Sequence, residues 1–134
     1  MDLSKLKPEL AEEGAVMQVR HPETEEDIEG MTMTLLGRDS SVAKKIRRKR
    51  QNAALARVSK GKKAMDTMTS EQLEAQTIDE LTQLCTGWEG FELEGSPLEC
   101  NEENKREVLE GWDWLREQAE EFVSTRSNHF RKAG

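Results

Sequence analysis

The sequence predicts an α+β fold, a mainly helical single domain with a small antiparallel hairpin near its amino end. Two stretches, 15–20 and 31–36, carry period-two features and β-branched residues on either side of an acidic connection that Pro22 opens and Gly30 closes. That is the pattern of two short strands paired through a loop. Farther on, apolar residues recur at helical spacing between Gly, Ser and Pro punctuation. A chain of 134 residues, 34% apolar and 35% charged, can fill one modest core, whereas two independent cores would be hard to fill.

Residues 1–14 are expected to form a flexible arm, because Pro8 forbids a continuous helix through them and their end is acidic. The hairpin spans 15–36, with Met17, Val19, Met31, Met33 and Leu35 on one apolar face. Asp39, Ser40 and Ser41 then offer caps for a basic helix over 41–60, since their side-chain oxygens accept the orphan N–H groups of a first turn. Its apolar stripe of Val42, Ile46 and Ala53 is thin, and Gly61 should weaken or end it.

The helix over 70–86 has the clearest signature. Thr69 and Gln72 form a capping box ahead of Leu73, Thr77, Ile78, Leu81, Leu84 and Cys85 on one face, and Gly87 supplies the stop. Residues 87–100 alternate large apolar residues with glutamates around Gly95, Ser96 and Pro97, which reads as a turn or tiny hairpin centred on Trp88. Helices over 102–130 follow, capped by Asn101, with Val108, Trp112, Leu115, Ala119 and Phe122 as their apolar seam and Gly111 as a break. Phe130 is expected to anchor the end of the domain, leaving 131–134 as a tail.

Charge is unevenly spread along the chain. The stretch 40–65 holds ten of the 20 Lys and Arg residues and no acid, so the remainder of a chain of net charge −7 stands at −17. Cations on one helix neutralise phosphates, which makes a nucleic-acid-binding regulator using the basic helix 44–63 an open alternative. The acidic remainder and the lack of patterned base-reading side chains speak against it. The competing reading has the helix dock on an acidic protein surface, the chain's own or a partner's.

The search for catalytic chemistry is short. His21 sits in a proline turn and His129 near the carboxyl end, and neither adjoins a cysteine or a patterned carboxylate pair. With no CxxC, HxxxH, phosphate-binding loop or serine elbow, the expectation is no enzyme, no catalytic residue, no metal and no cofactor. Cys85 and Cys100 show no disulfide framework and are expected as free thiols, with a bridge between them left open. No apolar run approaches the roughly 20 residues of a membrane span, and the amino end lacks a secretion signal, so a reducing cytoplasm is expected.

The candidate partner-binding residues are therefore Lys44, Lys45, Arg47, Arg48, Lys49 and Arg50 on the basic helix, with Trp88, Phe91 and Trp114 as aromatic contacts. Trp88 and Phe91 read either as the plug of a small core or as an exposed contact. Trp112 and Trp114 stand about 200° apart on a helix, so one core cannot take both.

The order of these features resembles the small tail assembly chaperones of long-tailed bacteriophages and prophages. The resemblance rests on the strand pair joined by His21-Pro22-Glu23-Thr24, the turn Leu36-Gly37-Arg38-Asp39-Ser40 into a basic helix, and the segment 84–95 around Trp88-Glu89-Gly90. It covers roughly residues 15 to 130. It implies a non-enzymatic protein of the bacterial host cytoplasm that binds the tape measure protein, the tail tube protein or both. A minor structural protein of the tail is the further alternative, and self-association is open. The density of cations at 44–50 departs from what the resemblance itself explains.

Overall fold

The computed structural model describes residues 1–59 and 68–130. The expected continuation of the basic helix to Lys60, its stop at Gly61, the cations Lys62 and Lys63, and the tail 131–134 lie outside the described residues. Among the described residues five α-helices, a three-stranded antiparallel sheet and a two-stranded hairpin (Glu92–Leu93 with Ser96–Pro97) make a mixed α+β domain, as the residue pattern predicts.

Strands β1 (Ala15–Arg20) and β2 (Asp27–Leu35) pair antiparallel with Met17 opposite Met33. β2 therefore begins inside what the sequence reads as loop. The sheet has a third strand, β3 (Cys85–Glu89), on the far side of β2, with Met33 opposite Trp88. The sequence reading gives this segment to a helix end and a turn. It becomes a strand because β2 presents a second row of unpaired N–H and C=O groups, which a segment leaving the 70–84 helix can satisfy.

Period two along β1 decides which sheet face is covered. Ala15, Met17 and Val19 are buried while Val16 and Arg20 are exposed. The covered face packs on α3 (Ser70–Leu84), α4 (Glu102–Gly111) and α5 (Asp113–Ser124). Their buried side chains are Ile78, Leu81 and Leu84 on α3, Val108 and Leu109 on α4, and Leu115, Ala119 and Val123 on α5. The capping box is present: Thr69 Oγ accepts from Gln72 N–H at 3.1 Å and Gln72 Oε1 from Thr69 N–H at 2.9 Å. Leu73, placed on the apolar face by spacing, is 52% exposed, because the first turns of α3 lie beyond the body.

Two ends are tied down more firmly than the sequence suggests. The proposed flexible arm is corrected in its second half: α1 (Leu10–Glu13) buries Ala11, whose carbonyl accepts the Gly37 N–H at 2.9 Å. At the other end the anchor is His129, with Phe130 only half-buried. His129 is 1% exposed, sits edge-on to Phe122, and its Nε2 lies 3.1 Å from the Leu35 carbonyl. A carbonyl only accepts, so Nε2 carries the proton and donates. Gly37 leaves room for this ring, since a Cβ there would lie 2.9 Å from His129 Cγ.

Candidate functional site

The basic helix α2 (Ser41–Ser59) is fastened at its start. Ser40 is buried and its hydroxyl accepts the Ala43 N–H at 3.2 Å, so Ser40 acts as the cap. The Glu12 carboxylate accepts from both the N–H and the hydroxyl of Ser41, the latter at 3.0 Å. An acid at this position also suits the positive end of the helix dipole. Docking of α1 and the beginning of α2 are thus one piece of construction.

Along α2 only Ala43 and Ile46 are buried, with Val42 half-buried, and the helix packs mainly against α3. Every residue from Gln51 to Ser59 is exposed, including Leu55 at 66% and Val58 at 49%. Lys44, Lys45, Arg47, Arg48 and Lys49 are exposed and, among the described residues, none of them makes a salt bridge. Arg50, named with them as a candidate contact, is placed differently. It turns inward, placing Nη1 3.3 Å from Glu80 and donating from Nη2 to the Gln76 carbonyl at 3.0 Å. Arg50 is thus a clamp between α2 and α3, whereas the five cations before it point to solvent.

Between α2 and α3 runs a groove of about 460 Å³, whose apolar lining is Val42, Ile46 and the more exposed Ala53. Lys45 and Lys49 stand on one lip and Asp79 and Gln83 on the other. The thin aliphatic stripe seen in the sequence is this lining. Asp79 is held by Arg106 at 2.8 Å, so the acidic lip is already partly neutralised.

The aromatic contacts separate differently. Phe91 is 5% exposed and stacks on Trp88 with centroids 4.5 Å apart and planes 5° from parallel. Trp88 Nε1 donates to the Leu98 carbonyl at 2.8 Å, and Leu98 N–H donates to the Phe91 carbonyl at 2.8 Å. The pair plugs the core from the Trp88 side, which removes Phe91 as a surface contact and leaves Trp88 only an edge. Trp114 is also corrected, for it is half-buried against the core, while Trp112 is 37% exposed. The chain breaks at Trp112 between α4 and α5 (φ −124°), so the two indoles do not share one helical wheel.

Two electrostatic features tie the site to the body. Arg126 grips Asp39 through Nε at 2.6 Å and Nη2 at 3.1 Å, and this pairing holds the Asp39 carboxyl below the ordinary carboxylate value. Cys85 and Cys100 are free, and burial first, then the neighbouring Cys100, pushes the Cys85 thiol up to about 12. Among the described residues no group of three His, Cys, Asp or Glu could hold a metal ion, and no helix is long and apolar enough to cross a membrane.

Comparison of the chain with protein-family models, curated proteins and solved structures finds no match.

Proposed function

We propose that this protein is a non-enzymatic assembly factor that holds another protein through α2 and the α2–α3 groove. The observation that carries the reading is the division of α2 into two halves. Its first half is fastened by Ser40, Ile46 and Arg50, while its cations and the exposed Leu55 and Val58 are left for a partner. A helix with a cluster of exposed cations at 44–49 and exposed aliphatics three apart, at Leu55 and Val58, one to two turns farther on suits an acidic, amphipathic helix laid into the groove.

The particular role follows the resemblance of the sequence: a tail assembly chaperone of a long-tailed phage or prophage, acting in the bacterial host cytoplasm on the tape measure protein, the tail tube protein or both. High net charge suits a carrier that must keep an apolar client soluble. Co-expression with the tape measure protein tests this. The expected result is a co-purifying complex and a gain in soluble tape measure protein, and replacement of Arg47 and Arg48 by Ser should remove both. Absence of complex and of any gain would overturn the reading. Binding of duplex DNA that falls steeply with salt would instead favour a nucleic-acid regulator.

A further inference from the structure

A second recess lies on the other aromatic surface, where the Trp88 turn meets the α4–α5 corner. It measures about 110 Å³ and is lined by Met31, Leu93, Leu98, Trp112 and Trp114, with Phe91 at its base. Drug-sized ligands need roughly 300 to 1,000 Å³, so this cleft has room for a single side chain. Its walls are set in place. Leu98 is fixed by backbone and indole hydrogen bonds at 2.8 Å, and Phe91 by its stack on Trp88. At the mouth, Leu93 and Trp112 remain 39% and 37% exposed, apolar surface whose burial by a partner would be favourable.

The charge at the lip of this cleft is acidic. Glu92 is the only charged residue among those lining it and Glu94 follows Leu93 in the chain, whereas Asp113, between the two tryptophans, is already paired with Arg116 at 3.0 Å. No Lys or Arg lines it, and among the described residues neither Glu92 nor Glu94 makes a salt bridge. An apolar pocket with free carboxylates at its lip favours an apolar group carried between cations, through burial at the centre and opposite charge at the rim.

We propose that this cleft is a second docking site, which takes one apolar side chain presented by a Lys- or Arg-rich segment of a protein partner. It is chemically the inverse of the α2 surface, and it does not depend on the reading given for α2. A protein carrying both would bridge an acidic and a basic segment at once.

The test uses the full chain and a fluorescein-labelled synthetic helix of Leu and Lys at amphipathic spacing, followed by anisotropy. Saturable binding is expected. The double variant Trp112→Ala, Leu93→Ser should weaken it by about tenfold or more, as loss of a central anchor does. Glu92→Gln with Glu94→Gln should weaken it less and flatten its salt dependence. Arg47→Ser with Arg48→Ser should leave it unchanged, which separates this site from the α2 surface. The proposal is overturned if the Trp112, Leu93 variant, folded by circular dichroism, binds like the native chain, or if a Leu and Glu helix binds equally well. No saturable binding at low salt also sinks it.

Discussion

Helices α2 and α5 are apolar in similar proportion, 8 of 19 residues and 5 of 12, yet do opposite things. On α5, Leu115, Ala119 and Val123 recur every fourth residue and all are buried, while Gln118 between them clamps the end of β1. Its amide donates to the Arg20 carbonyl at 2.8 Å and its oxygen accepts the Arg20 N–H at 3.0 Å. On α2, Lys49 and Arg50 occupy the positions three and four beyond Ile46, so the stripe is broken where the helix leaves the body. The difference teaches that unbroken apolar spacing commits a helix to the core. Where cations interrupt it, the aliphatics beyond are left for something else.

The largest expected contrast lies between the two helices themselves. Leu115→Ala should cost about 2 to 5 kcal/mol in urea unfolding, since it opens a cavity in a fully packed site. Leu55→Ala should stay within about 0.5 kcal/mol, as exposed substitutions do. Equal effects would mean that α2 is covered after all.

A smaller contrast concerns the aromatic side of the body. Gly90 adopts φ +76°, and a Cβ there would lie 2.2 Å from the Gly30 carbonyl oxygen. Gly90→Ala should therefore destabilise by at least about 1 to 3 kcal/mol, the cost of the positive φ to which the clash with the Gly30 carbonyl adds, and should shift the Trp88 and Phe91 stack as read by near-ultraviolet circular dichroism. A neutral result would show that the turn can open away from β2.

Smaller still is the cap of α3, against which α2 rests. Thr69→Ala should lower stability by about 1 kcal/mol, with faster amide exchange confined to the first turn of α3. The smallest effect belongs to Asp39, whose carboxyl is lowered below 3.8 by its bond to Arg126. A depressed acid contributes stability that is complete above its unfolded value and disappears as pH falls through the still lower folded one. Asp39→Asn should thus cost at most about 1 kcal/mol at neutral pH and nothing in strong acid. A loss that persisted at low pH would assign the effect to packing of the side chain.

How much of this could be read from residues alone differs element by element. The capping box at Thr69 and Gln72, the start of α2 at Ser41 and the alternation of β1 are local, and each appears where the residues place it. β3 is not legible, because Cys-Thr-Gly-Trp-Glu has a glycine at its centre and its pairing partner lies some fifty residues earlier in the chain. The candidate sites divide in the same way. The exposure of the cations on α2 follows from their density, but the inward turn of Arg50 depends on Glu80 and the Gln76 carbonyl across the groove. The half-burial of Trp114 and the exposure of Trp112 depend on where the chain bends between α4 and α5, and the burial of Phe91 depends on its stack with Trp88.

The amino-acid order by itself determined the class of fold, the starts of α2, α3 and α4 and the separation of a basic segment from an acidic remainder. These rest on side-chain caps, on periodicity and on charge, all of which act within a few residues along the chain. Only the tertiary structure decided that β2 would take a third strand and that Ala11 and His129 would close the two ends around Gly37. It alone decided which aromatic would stay in water. Each of these depends on groups brought together across dozens of residues, where unpaired backbone and vacant core volume select the partner.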